Sequence, residues 1–170
     1  MKYERFEDLP AWKAAMDLAL RVYALTRDRF FAQAGDLRSQ LRRAALSVSN
    51  NIAEGFERGT TAELISFLYI ARGSAGEVRS MLCFIEQSPE SGHLKSEISN
   101  LKLMAENCSR QIRGWTNHLQ NTPIQGQRRL NAGTRTRYEA DKAAAAFQNQ
   151  LAGLLHRAHP EIYPKPPPEE

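Results

Sequence analysis

Apolar residues recur along the first 120 positions at alternating intervals of three and four, the mark of helices that each bury one stripe. The first segment runs through Leu9, Trp12, Met16, Ala19, Tyr23, Thr26 and Phe30. Asp8 stands where a cap belongs, and Pro10 falls in the first turn, where its missing N–H costs nothing. The second segment runs through Leu37, Leu41, Ala45, Val48, Ile52 and Phe56, with Asp36 as its expected cap and Gly59 as its stop. The third opens at Thr60, three residues ahead of Glu63 in capping-box spacing, and continues through Leu64, Leu68, Ala71, Ala75, Val78, Leu82 and Ile85. The fourth carries Leu94, Ile98, Leu101, Ala105, Cys108, Ile112, Trp115 and Leu119.

Between these segments lie joints of only a few residues, near 31–35, 59–60 and 88–92. Short joints force neighbouring helices to run antiparallel, so residues 1–121 are predicted to form an all-α, antiparallel up-down four-helix bundle. No convincing strand alternation occurs. Beyond Asn121 the pattern breaks, and residues 122–137, with a proline, two glycines and several arginines, read as a basic linker. Ala140, Ala144, Phe147, Leu151, Leu154 and Ala158 then restore the helical spacing. A fifth amphipathic helix is predicted over 138–159, followed by a proline-rich tail over 160–170.

The faces turned away from these stripes carry the functional signal. On the second segment, Arg43, Ser47, Asn50, Asn51, Glu54 and Arg58 project opposite the core at about 100° per residue. On the third, the outer face holds Ser66, Ile70, Gly73, Glu77, Ser80, Met81 and Phe84, a mixture of small and large apolar groups. A glycine inside a helix costs about 1 kcal/mol relative to alanine, a cost most easily understood where another helix comes close. The face is therefore expected to be an oligomer interface of Ser66, Ile70, Gly73, Glu77, Met81 and Phe84. Cover by the fifth helix of the same chain is the competing explanation, and the pattern alone does not separate the two.

Charge narrows the choice of partner. The chain holds 23 basic and 19 acidic residues, and seventeen of the basic ones are arginine, which grips phosphate bidentately. Between Glu106 and Glu139 there is no acid, while Arg110, Arg113, Arg128, Arg129, Arg135 and Arg137 all lie there. Arg38, Arg42 and Arg43 form a second cluster within about one and a half turns of the second segment. These nine arginines are the candidate nucleic-acid-binding residues, RNA foremost; a solvated basic connector that binds nothing is the alternative. No run of about 18 apolar residues could span a membrane, so no membrane partner is expected. The first ten residues have no apolar stretch of the kind a secretory signal needs. Cys83 and Cys108, both in helical patterns, make no disulfide framework, and a cytoplasmic setting is expected.

Residue patterns that could carry chemistry are few and incomplete. Glu90 and His93 have the Glu-x-x-His spacing of di-iron bundles, but the pattern occurs once where two inward-facing copies are needed. His156 and His159 sit one turn apart without a supporting carboxylate at helical spacing. Ser47, Ser49 and Ser74 have no histidine nearby in sequence, and Gly73–Gly76 is mid-helix rather than a phosphate-cradling loop. No catalytic residue, metal or cofactor is expected, and the chain is read as not an enzyme.

The stretch from Gln40 to Gly59, centred on Asn51, Ile52, Ala53, Glu54 and Gly55, resembles the signature of the four-helix-bundle proteins encoded by intervening sequences in bacterial 23S rRNA genes. Phe6 to Trp12 with Leu25-Thr26 before it, and Phe67 to Val78 after it, extend the resemblance over roughly residues 4 to 120. The resemblance implies a cytosolic antiparallel bundle assembled into a ring-like homopentamer, with no catalytic residues. It also implies kinship with the accessory proteins of diversity-generating retroelements, which bind a reverse transcriptase and its template RNA. Asn50 stands where the family commonly has a serine or other small polar residue, and residues 122–170 exceed the usual family length. Two functions follow as expectations: an oligomeric scaffold that binds RNA through arginine clusters, or an interaction module whose C-terminal helix docks a partner protein without touching nucleic acid.

Overall fold

A computed structural model of the chain, describing residues 3–32, 34–121, 132–158 and 160, is all-α. Among the described residues the α-helices are α1 (Pro10–Leu25), α2 (Gly35–Glu57), α3 (Thr61–Gln87), α4 (Lys95–Gln120) and α5 (Ala132–Ala158). Short 3₁₀ turns at Phe6–Asp8, Arg29–Ala32 and Pro89–Leu94 complete the regular structure, and no strand forms among the described residues. The chain divides into two compact units, Met1–Arg128 and Arg129–Glu170.

In the first unit the packed pairs are α1–α2, α2–α3, α3–α4 and α1–α4, a closed circuit of neighbours around one core, as in a helical bundle. The stripes of α2 and α3 are buried as their spacing predicts, with Leu41, Ala45, Val48, Ile52 and Phe56 from α2 and all seven of Leu64 to Ile85 from α3, except that Leu37 at the start of α2 is only half-buried. From α4, Ile98, Leu101, Ala105, Cys108 and Ile112 are buried, while Trp115 and Leu119 pack at the core's edge.

The first helix departs from its reading. It buries Ala11, Ala15, Leu18, Ala19, Val22 and Leu25, leaving Trp12, Met16 and Tyr23 half-buried. Helices approach most closely where side chains are small, so alanines take the centre and the large amphipathic rings take the flanks. Trp12 closes on Phe6 edge to face, with centroids 5.3 Å apart. The helix also stops at Leu25, well before Phe30, which lies in the 3₁₀ turn of the α1–α2 corner.

Two expected caps are absent. Leu9, not Asp8, is the N-cap of α1, because Asp8 is taken into the preceding 3₁₀ turn. Helix α2 begins at Gly35, so Asp36 lies inside its first turn, where a negative charge still complements the helix dipole. At Thr60 the N-cap half of the expected capping box forms: the Glu63 N–H donates to Thr60 Oγ1 at 3.2 Å, while the Glu63 carboxylate takes the Thr60 hydroxyl at 2.8 Å.

In the second unit, α5 starts at Ala132, earlier than the 138 expected, so the last six residues of the supposed 122–137 linker are helical. Gly133 and Thr134 are weak helix formers but do not stop a helix, and the segment's one proline, Pro123, lies upstream. Phe147, on the predicted stripe, is 65% exposed, and Leu151 and Leu154 are exposed with it.

Candidate functional site

The family-signature stretch of α2 has a structural purpose that its spacing alone does not show. Gly55 is buried against α3: a Cβ there would lie 2.7 Å from Phe67 Cβ, 3.2 Å from Leu64 Cδ1 and 3.3 Å from the Leu64 carbonyl oxygen. Only a hydrogen fits, so glycine sets how closely the end of α2 meets the start of α3. Three residues on, the Arg58 guanidinium lies over the Phe67 ring at 4.9 Å and donates to Glu54 Oε1 at 2.6 Å. Asn51 and Ser47, expected to face outward, are half-buried at the same seam. Asn51 Nδ2 donates to the Ser47 carbonyl at 2.7 Å and to its Oγ at 2.9 Å, and Ser47 Oγ pairs with Ser74 Oγ of α3 at 2.8 Å. Ile52 is in the core, and Glu54 alone of the five signature residues is well exposed.

The candidate arginines separate into two kinds. Arg42 is engaged within the fold: its Nε donates to Thr26 Oγ1 at 2.7 Å, and its guanidinium lies 4.7 Å from the Tyr23 ring centroid. It ties α2 to the end of α1 and is poorly placed to meet phosphate. Arg43, Arg110 and Arg113 are exposed, Arg38 is half-buried, and none of these four has an ion-pair partner among the described residues. Arg128 and Arg129 lie outside the described residues, as do the side chains of Arg135 and Arg137. The placed arginines do not converge: Arg38 and Arg43 are on α2 and Arg110 and Arg113 on α4, two helices not paired in the circuit of neighbours.

The structure does bring Arg43 together with part of the expected interface. Arg43, Gln40 and Ser47 of α2 line an open groove of about 470 Å³ with Glu77, Ser80 and Met81 of α3. Arg43 and Glu77 share the groove without forming an ion pair. Along the same face of α3, Ser66 is exposed, Ile70 is 51% exposed and Phe84 is 64% exposed. A Cβ built on Gly73 or Gly76 would meet nothing within 4 Å.

Polar clasps hold the bundle's edges. Lys102 of α4 donates to Glu86 of α3 at 2.6 Å, and that hydrogen bond raises the lysine's pKa. Asp28 in the α1–α2 corner accepts from the Phe30 N–H at 2.9 Å and meets His93 Nε2 of the α3–α4 corner at 3.0 Å. The Phe30 N–H first, and His93 second, hold its carboxyl below the usual range. His93 is thereby committed to a corner clasp. Among the described residues no group of three or more His, Cys, Asp or Glu is arranged to hold a metal ion. Burial pushes the Cys108 thiol up to about 11, so it is protonated near neutrality. Nor is any helix among the described residues long and apolar enough to cross a membrane.

The sequence model of the 23S rRNA-intervening sequence protein family matches residues 7–114, and the chain belongs to that family. The matched span covers α1, α2, α3 and most of α4, including the Gly55 seam. Among curated proteins, none matches the chain.

Proposed function

We propose that this member of the 23S rRNA-intervening sequence protein family is a non-enzymatic, homo-oligomeric scaffold that binds RNA through arginines left free by its own fold. Residues 1–121 act as an antiparallel up-down bundle, and the outer face of α3 around Ile70, Gly73, Glu77 and Met81 joins copies, most simply as a ring of five in the cytoplasm. The observation that carries the reading is the division among the arginines. Arg42 and Arg58 are held by neighbouring side chains, whereas Arg43, Arg110 and Arg113 are exposed and lack ion-pair partners among the described residues. An arginine with no internal partner keeps its full capacity to take a phosphate.

Free arginines on α2 and α4 lie on helices that are not paired in the circuit of neighbours, so one copy offers only a few contacts to one RNA. A ring repeats each group around its axis, and multivalency turns modest contacts into useful affinity. Binding of this kind is charge-driven and tolerant of sequence, so affinity falls steeply with salt. The test is a titration against a structured RNA at several salt concentrations. A slope of log K against log salt steeper than about −3 is expected, and a slope near zero overturns the reading. The double variant Arg128→Ala with Arg129→Ala is expected to weaken binding at unchanged oligomer mass; unchanged affinity removes the linker's part.

A second reading rests on α5. Its exposed Phe147, Leu151 and Leu154 recur at helical spacing, and an apolar stripe of this kind suits a partner protein such as a reverse transcriptase. That complex would survive moderate salt, and the same titration series separates the two readings.

A further inference from the structure

The α1–α2 and α3–α4 corners meet around a hollow of about 710 Å³, lined by Arg29, Phe30, Leu37, Phe84, Glu90 and His93 among others. Its volume lies within the roughly 300–1,000 Å³ of sites that hold small organic groups. Phe84 presents its ring to solvent at 64% exposure, a costly position for a phenyl group without a partner. Phe30 is half-buried and stands edge-on to the fully buried Phe31, with centroids 5.1 Å apart and planes at 84°, so its ring is held in place. Arg29 is exposed and has no ion-pair partner among the described residues. The carboxylate nearest to it in sequence, Asp28, is hydrogen-bonded by His93 and the Phe30 N–H and feels Arg29 only as a nearby charge. Glu90, also exposed and without an ion-pair partner, and Ser88 add acceptors and a hydroxyl to the rim.

This combination selects among occupants. A purely apolar surface pressed over Phe84 would strip water from Arg29 and Glu90 and return no hydrogen bonds. A flat heteroaromatic group that carries polar edges and an attached phosphate satisfies all of them together. We propose that the hollow receives an unstacked base of single-stranded RNA, its face on Phe84 and Phe30 and its flanking phosphate on Arg29. Base–aromatic stacking is tolerant of sequence, because every base has a π-face. The assignment rests on the RNA reading above and adds a preference that arginine contacts alone do not produce: unpaired strands over duplex. It also takes Phe84 out of the set expected to join copies.

The test uses the full chain, a fluorescein-labelled twelve-nucleotide oligo(A) RNA and an RNA duplex of equal charge, compared by anisotropy at one salt concentration. Phe84→Ala is expected to weaken oligo(A) binding about tenfold and to leave duplex binding and oligomer mass unchanged. Phe84→Trp is expected to retain oligo(A) affinity and to show fluorescence quenching on binding that wild type lacks. Because Phe84 is exposed, neither change should disturb folding, and far-UV circular dichroism checks this. Wild-type affinity of Phe84→Ala for oligo(A), or equal losses for both RNAs, overturns the site while leaving the scaffold reading intact. A fall in oligomer mass overturns it in favour of a contact between copies. Failure of the wild-type protein to bind either RNA overturns both.

Discussion

Gly55 and Gly73 sit in the interiors of consecutive helices, and the same residue type is there for opposite reasons. At Gly55, in the α2–α3 seam, a methyl group would press on Phe67 Cβ at 2.7 Å, an atom fixed to the α3 backbone. At Gly73, on the outer face of α3, a methyl group would touch nothing within 4 Å. The seam is closed, with hydrogen bonds from Asn51 to Ser47 and between Ser47 and Ser74, and an arginine laid over Phe67. The outer face is open, with Ile70 half in water beside its glycines. The contrast teaches that a helix glycine belongs to the monomer's packing only where its missing Cβ is matched by a neighbour. Where it is not, the chain pays for a glycine that its own described fold does not use.

The largest effect should come from closing the gap at the seam. Gly55→Ala inserts a methyl where neither Phe67 Cβ nor the Leu64 carbonyl can retreat freely, an overpacking cost of about 1–3 kcal/mol. Alanine's better helix propensity, about 1 kcal/mol, offsets only part of it. A lowered denaturation midpoint is expected, and a variant as stable as wild type would show that α2 and α3 can separate without penalty.

Arg42→Ala comes next, at about 1–2 kcal/mol, since it removes the hydrogen bond to Thr26 and the contact with Tyr23. Its neighbour supplies the control: Arg43→Ala should leave the midpoint unchanged and weaken RNA binding at unchanged oligomer mass, the mass separating a phosphate contact from the copy-joining groove that Arg43 shares with Glu77 and Met81. The reverse pattern, with Arg42→Ala affecting only RNA, would erase the distinction between held and free arginines.

On the outer face the sign should invert. Gly73→Ala is expected to stabilise the unassembled chain by about 0.5–1 kcal/mol, because nothing within its own described fold resists the added methyl. Gly73→Leu should keep far-UV helicity and lower the assembled mass measured by light scattering. Unchanged mass would remove the subunit-interface assignment of that face.

The smallest effect concerns the Asp28–His93 clasp at the end of the bundle. The carboxyl's folded pKa lies below its ordinary 3.8, so its contribution is present above that value and lost as pH falls through the folded pKa. Asp28→Asn should therefore flatten the loss of thermal stability below about pH 4. An identical acid limb in the variant would show that the clasp does not contribute to holding the corners.

How much was legible in the chain varied by helix. Every residue of the α3 stripe from Leu64 to Ile85 is buried, because that helix has a clean run of aliphatic positions bounded by a threonine N-cap and a proline. In α1, weighting large residues drew the stripe toward Trp12, Met16 and Tyr23, whereas the centre belongs to Ala11, Ala15 and Leu18. Asn51 and Ser47 read as outward polar residues because periodicity registers polarity and is blind to a serine waiting on the next helix. Arg42 and Arg43 are indistinguishable by type and adjacent in sequence, and only the position of Thr26 and Tyr23 tells them apart.

The chain by itself therefore determined what depends on local order: the number of helices, the spacing of their apolar faces, most of their ends and the family signature. These follow from periodicity, propensity and capping, all of which act within a few residues. The tertiary structure alone decided which glycine fills a seam, which arginines are spent inside the fold and which rings line the hollow at the bundle's end. Those outcomes depend on distances between residues far apart in sequence, and such distances exist only once the helices have packed.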